Sequence, residues 1–399
     1  MNVSMNLSLN NTQNAFAYKS NTDLNKAKWL FTVIQNPWIV SLGTRFTPIL
    51  MKSGLPINGI IRNTIFNQFV GGETLDESAR VTKMLGSYGV QVILDYGVEA
   101  KEGDASFDEV TEQFIKAVEF AATQNNVPFI SVKLTGLSSM HLLERLNEAP
   151  RLRSGIHDSE SDDAAWNRLK ERMHAICVVA ATNNIGILID AEETWIQDPI
   201  DRMAIELMGV YNKEKVVVYN TYQLYRSDRL HFLKISHKIA AEGNFILGAK
   251  LVRGAYMEKE RARAASMGYA SPIQVDKAAT DADFDAGVEF CLEHLDNIAL
   301  IVASHNEASN LKCAQMMQDK GLPNNHPRIH FSQLYGMSDH ISFNMASEGY
   351  QVSKYLPFGP LQDVIPYLMR RAQENSSVNG QTNRELLLIR QEIARRKAK

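Results

Sequence analysis

Cysteine is scarce in this chain: Cys177, Cys291 and Cys313 are three among 399 residues, dispersed and never in a CxxC pair. That excludes a disulfide framework and a thiolate zinc site, and it predicts a reducing compartment. Long apolar runs are missing as well. None reaches the length that a membrane-spanning helix needs. Nor does one sign of charge dominate, with 42 Lys+Arg against 45 Asp+Glu and a formal net charge of -3. This removes the electrostatic footprint of a nucleic-acid binder. The opening stretch "MNVSMNLSLNNTQNAFAYKS" lacks both the basic and apolar regions of a secretory signal and the arginines of a mitochondrial transit peptide. It is expected to be a disordered tail on a cytoplasmic protein. What remains is ordinary: 45% apolar and 22% charged residues describe a globular chain. Its length suits one large domain with a helical extension, or two domains.

One pattern then repeats. After a region of helical character come eight short apolar runs rich in β-branched residues: 90–99, 128–134, 186–192, 215–223, 245–254, 298–306, 328–336 and 350–359. Continuous rather than alternating apolar runs are the mark of parallel strands buried on both faces. The stretches between them, such as "FDEVTEQFIKAVEFAATQNN", read as helices. Eight alternations point to an α/β fold of the (βα)8 barrel type, with a doubly wound open sheet as the competitor. No GxGxxG follows the first run, which weakens the dinucleotide-binding version of that competitor. The predicted division is an N-terminal tail and helical region over 1–85, a barrel over 86–375 and a helical tail over 376–399.

Nearly every run finishes on a polar side chain: Asp95, Lys133, Asp190, Gln223, Arg253, His305 with Asn306, Gln333 and Tyr355. In a barrel those positions share the C-terminal mouth, where active sites of this fold are built. One polar strand end is unremarkable, since every strand must surface. A full rim of them predicts an enzyme.

The stretch "YLMRRAQEN" adds a second element. At helical spacing Tyr367, Arg370, Arg371 and Glu374 lie on one face. A solvated ion-pair face is the ordinary explanation, with Glu374 pairing an arginine for a few tenths of a kcal/mol. An anion site is the functional one, because a guanidinium fork matches a carboxylate in geometry as well as charge.

The chemistry of the rim narrows the choice. His305 is the one histidine at a strand end, so metal hydrolysis is poorly supported. A Schiff-base lyase could use Lys133 or Lys250. A cofactor enzyme explains the surplus of hydrogen-bonding groups best, because a large polyanionic cofactor with a heteroaromatic ring would employ Gln223, Lys250, Arg253, His305, Asn306 and Gln333. Gly254 in "RGAY" would let backbone approach such a ligand closely.

The segments "AKLVRGAYMEKER", "LIDAEET", "NTYQLY", "ASHNEAS", "FSQLYGM" and "YLPFGPLQDVIPYLMRRAQEN" occur in an order that resembles the proline dehydrogenase family, in its monofunctional form. "FVGGETLDES" and "LDYGVEA" extend the likeness from about Phe69 to Glu374. The resemblance implies a distorted (βα)8 barrel holding FAD non-covalently. The implied reaction is oxidation of L-proline to Δ1-pyrroline-5-carboxylate, with electrons passed to a membrane quinone and the second oxidation left to a separate pyrroline-5-carboxylate dehydrogenase.

By the same resemblance, Arg370 and Arg371 bind the substrate carboxylate and Lys133 completes the cationic pocket. Glu374 holds an arginine in place, and Asp190 is the counter-ion that orients an arginine. Tyr256, Tyr355 and Tyr367 enclose the substrate ring. A smaller residue at the position of Tyr355 marks hydroxyproline-preferring relatives. For FAD the similar positions are Gln223, Lys250, Arg253, Gly254, Ala255, Lys277, His305, Asn306 and Gln333. Lys250 departs from the bifunctional bacterial type, which commonly carries arginine there. The amphipathic segment "NRELLLIRQEIARRKAK" either touches an anionic membrane surface, giving a peripheral protein, or packs on its own barrel.

Overall fold

The computed structural model describes residues 7–36, 38–41, 58–97, 102–148, 159–377 and 379–398. Eight parallel strands close into a barrel in chain order. They are β1 (Gln91–Tyr96), β2 (Phe129–Val132), β3 (Gly186–Ile189), β4 (Val218–Gln223), β5 (Leu247–Val252), β6 (Ile298–Ala303), β7 (Ile329–Leu334) and β8 (Val352–Phe358). Each lies inside one predicted run. Closure comes from β8 pairing along the whole of β1, from Gln91 opposite Ser353 to Tyr96 opposite Phe358.

Burial on both faces is what the continuous apolar runs require. One set of side chains, Ile93, Phe129, Leu188, Tyr219, Ala299, Ile301 and Tyr355, fills the barrel interior. The alternate set packs outward against the surrounding helices. Residue identity is fixed tightly inside: at Gly186 a Cβ would meet the Phe129 ring at 2.5 Å. Along β8 the period of two sends Tyr355 inward while Lys354, its neighbour, meets Asp339 on the outer helix Asp339–Ser347 at 2.9 Å.

The last barrel helix, Leu361–Ser377, departs from the ring. Its apolar residues Leu361, Val364, Ile365, Leu368 and Ala372 join a separate cluster with Phe16, Leu24, Phe31 and Phe69 from the N-terminal region. That packing turns its other face toward the barrel mouth, where the Arg370 guanidinium lies 5.8 Å from the Tyr256 ring centroid.

The Asn-rich opening is not a tail over the described residues from 7 onward. Ser20 and Asp23 form a reciprocal cap that starts the helix Asn21–Ile34. Asn14 donates to Phe343 O at 3.0 Å and Asn344 Oδ1 at 2.9 Å, and the Tyr18 ring stacks on Phe343 at 4.9 Å. Polar composition suggested disorder, but these asparagines are used as fixed donors between elements. The terminal helix Asn379–Lys397 packs on the same layer, burying Leu386, Leu388 and Ile389. Of the two readings of that segment, packing on its own protein is the one its apolar side chains follow. Among the described residues no helix is long and apolar enough to cross a membrane.

Candidate active site

The floor of the mouth is a buried charge cluster assembled from five strands, β1, β2, β3, β5 and β8. Lys133 Nζ, just past β2, donates to Asp95 Oδ1 at 3.1 Å and to the Tyr355 hydroxyl at 3.2 Å, and lies 3.4 Å from Asp190 Oδ2. Lys250 on β5 donates to Asp190 Oδ1 at 2.6 Å. The Tyr355 hydroxyl donates to Asp190 Oδ2 at 2.7 Å and sits 3.2 Å from Ser131 Oγ. Two carboxylates face two ammonium groups, so the cluster balances in charge. Burial alone would raise Asp190, but Lys250 and Lys133 outweigh it and hold the carboxyl well below its usual range. Asp95 goes the other way: burial raises it, Lys133 opposes, and the Asp190 charge adds to the rise.

The Leu361–Ser377 helix faces this floor. Arg371 is buried, with its guanidinium 2.5 Å from Glu374 Oε1 and 5.1 Å from the Tyr367 ring centroid. The pair was foreseen on both readings of "YLMRRAQEN", and burial separates them: a solvated face does not bury its arginine. Burial pushes the Tyr367 phenol up, with Asp95 and Glu374 adding to the rise and both arginines opposing it. The buried Tyr367 hydroxyl has no hydrogen-bond partner among the described residues.

The flank is built at the ends of β4 to β7. Gly254 adopts φ 144° just beyond β5, and a Cβ there would strike the Tyr225 ring at 2.4 Å. Only glycine fits. Ala255 is exposed beside it. Arg253 forks to Asp281 at 2.7 Å, Ser304 Oγ at 2.7 Å and Ser309 Oγ at 3.0 Å, and Lys277 also pairs with Asp281. His305 has Nδ1 2.9 Å from Ser338 Oγ. Burial, reinforced by Lys354, Arg371, His340 and Arg253, lowers it to about 3, so it is neutral at physiological pH.

Three flank residues are engaged within the protein. Gln223 Nε2 donates to Glu192 O at 2.7 Å, and Gln333 takes Ser304 O at 3.1 Å and the Ser342 hydroxyl at 2.8 Å. Asn306 caps the helix Glu307–Asp319, accepting from Ser309 N at 3.2 Å. These amides hold the loops that shape the flank.

A family model described as proline dehydrogenase matches residues 78–384. Carbapenem antibiotics biosynthesis protein CarD of Pectobacterium carotovorum subsp. carotovorum is 33% identical over 82% of this chain and 83% of its own. Proline dehydrogenase 1, mitochondrial, of Dictyostelium discoideum is 32% identical over 96% of this chain and 74% of its own. The chain belongs to the proline dehydrogenase family. Among solved structures, proline utilization A from Bdellovibrio bacteriovorus, inactivated by N-propargylglycine, superposes with a TM-score of 0.76 at 22% identity. That likeness is one of fold. It covers 89% of this chain and 38% of the larger protein.

Within this member of the proline dehydrogenase family, one expectation needs correction. Asp190 is expected to orient an arginine, but its partners are Lys133, Lys250 and Tyr355, because just past β3 it reaches into the barrel interior, where the side chains from β2, β5 and β8 converge. Lys133, expected to complete the cationic pocket, is paired with both Asp95 and Asp190. Asp95 itself was visible as a polar strand end and received no role. Its signal was the acid closing "VILD", one strand away from the lysine of "SVKL".

Proposed function

We propose that this chain oxidises L-proline to Δ1-pyrroline-5-carboxylate as an FAD-dependent proline dehydrogenase. The observation that carries the reading is the buried arginine of the Leu361–Ser377 helix facing a charge-balanced floor of lysines and aspartates. On this reading Arg370 and Arg371, on the helix that faces the floor, take the substrate carboxylate, with Glu374 holding Arg371 in place. Tyr256, Tyr355 and Tyr367 then enclose the apolar ring carbons and exclude water, and the orphaned Tyr367 hydroxyl gains a partner when substrate enters.

The flank suits FAD. Gly254 and Ala255 offer exposed backbone where a side chain at 254 would clash, Arg253 and Lys277 supply cations at the rim, and neutral His305 offers a hydrogen bond. Lys250, Gln223, Asn306 and Gln333 border the same space. A flavin held there would supply the two-electron acceptor for hydride from proline C5. The chain's residues orient the substrate, hold its carboxylate and keep the floor's charges fixed. Substrate binds with its amine unprotonated, since the nitrogen lone pair must form the imine. We assign reoxidation to a membrane quinone, met by a peripheral protein at the cytoplasmic face, and the second oxidation to a separate pyrroline-5-carboxylate dehydrogenase.

One assay tests the proposal: proline-dependent reduction of a quinone or dye, run beside an absorbance scan. Yellow protein with proline-dependent turnover is the expected result. Colourless protein would favour a Schiff-base lyase on Lys133 or Lys250. Flavin-loaded protein without turnover would favour a binding protein on this barrel.

A further inference from the structure

We propose that Glu260 is a positioning residue, whose buried carboxylate locks the turn that carries Tyr256 against Arg370 and thereby sets how tightly substrate is held. The inference rests on reading Tyr256 and Arg370 as substrate-facing. It starts from two motifs whose remaining residues had no role, "LIDAEET" and "AYMEKER". In the fold these two segments touch.

Glu260 is wholly buried in the helix Met257–Met267, yet among the described residues its carboxylate meets no cation at hydrogen-bond distance. Its oxygens accept from Thr194 N at 2.7 Å and Thr194 Oγ1 at 2.7 Å. Thr194 opens the helix Thr194–Tyr211, four residues after Asp190. A buried carboxylate is costly to keep, and an apolar side chain would hold two helices together without that cost. What the carboxylate adds is direction, because two donors on one residue fix one register. Glu260 N donates in turn to Tyr256 O at 2.9 Å, so the clamp sits one helical turn from the tyrosine.

Neighbouring contacts reinforce the same junction. Lys259 pairs with the buried Glu193, and the Arg263 guanidinium lies 4.4 Å from the Trp195 ring centroid. On the far side Glu192 accepts from Thr135 N at 3.2 Å and Thr135 Oγ1 at 2.5 Å, tying the loop after β3 to the one after β2. A continuous set of contacts therefore runs from the loop bearing Lys133, past Asp190, to Tyr256. Loosening Glu260 frees the aromatic wall while leaving the floor in place.

The test uses flavin-loaded Glu260→Gln, Thr194→Val, Thr194→Ser and Arg370→Met proteins. KM and kcat for proline are measured beside the Kd of tetrahydrofuran-2-carboxylate, a proline-shaped carboxylate with no N–H to lose. The Trp195 share of the emission, isolated from the other three tryptophans by comparison with Trp195→Phe, reports the junction independently of turnover. Glu260→Gln is expected to raise KM and that Kd by about tenfold with kcat within about threefold, and to shift Trp195 emission. Thr194→Val should move the same constants by about threefold, while Thr194→Ser, which keeps both donors, restores them. A merely structural role would lower thermal stability and flavin content without separating KM from kcat. Unchanged KM and Kd in both Glu260→Gln and Thr194→Val, in the presence of a strong Arg370→Met effect, overturn the proposal and leave the substrate site standing. Unchanged constants in Arg370→Met mean that the substrate-facing reading has failed, and the proposal falls with it. Should Glu260→Gln not fold, Thr194→Val carries the same comparison.

Discussion

Adjacent residues of β8 enter two buried clusters of the same chemical make-up, with different consequences. Lys354 points outward to a fully buried Asp339 at 2.9 Å, which also accepts from Tyr18 at 2.7 Å. Tyr355 points inward to Asp190, Lys133 and Lys250. Both are Asp–Lys–Tyr sets withdrawn from water. The outer one is a seam: Lys354 also donates to Met337 O at 2.5 Å, and the whole set joins β8, the Asp339–Ser347 helix and the N-terminal segment. The inner one is drawn from the barrel strands and the residues just past them, and faces the mouth. Its carboxylates also diverge, since the lysines hold Asp190 down while burial raises Asp95. Burial of charge therefore does not identify a site by itself. A surplus of groups converging on an open strand-end face does.

That contrast can be broken first on the outer side. Asp339→Ala leaves the Lys354 ammonium buried without its counter-ion, which costs about 3–5 kcal/mol of folding stability. Urea denaturation should register that loss, while KM for proline in the surviving folded protein stays near wild type. A stability change within measurement error would mean that the outer cluster is not a seam. The inner side responds in the opposite currency. Arg371→Met should lower kcat/KM for proline on the order of 30- to 1000-fold, through KM, with flavin content near wild type. Unchanged KM would return the helix to an ordinary ion-pair face.

Tyr355 sharpens the comparison, because its phenol is pinned by Asp190 and forms a rigid wall. A 4-hydroxyl against that wall is poorly hydrogen-bonded, so proline should be preferred over trans-4-hydroxy-L-proline by roughly 10- to 150-fold in kcat/KM. Tyr355→Ser should shrink the ratio, mainly by damaging proline turnover. Equal efficiency on the two substrates in the unmutated enzyme would remove Tyr355 from the specificity wall.

The smallest effect is on acid stability. Hydrogen bonds from Arg395 and Arg396 hold Glu392 down to about 2, below the value of a free glutamate near 4.5. A depressed folded-state pKa gives stability that is complete above the unfolded value and is lost as pH falls toward the folded one. Thermal stability should therefore decline between about pH 5 and pH 2, and Glu392→Gln should flatten part of that decline. An identical pH profile in the variant would assign the acid sensitivity elsewhere.

The barrel was legible because its signal is local: eight apolar runs, each buried on both faces, with polar ends. The rim residues followed from the same pattern. Pairing was not legible. Nothing in "LIDAEE" says that Asp190 meets lysines rather than an arginine, since that depends on which side chains other strands send into the barrel interior. Nor does "MNLSLNNTQNAFAYKS" betray that Asn14 and Tyr18 dock on a helix more than three hundred residues later. Composition reports average polarity, and these are single directed bonds. Glu260 was hidden for the same reason, inside a helix whose other side chains are largely exposed.

The N-terminal and C-terminal helices share one layer, joined where Glu392 accepts from Thr12 at 3.0 Å and Arg396 donates to Phe16 O at 2.9 Å. That layer supports the helix bearing Arg370 and Arg371. The setting of the arginine helix therefore depends on contacts between segments 380 residues apart in the chain, so a change at either end of that layer reaches the site without touching the barrel.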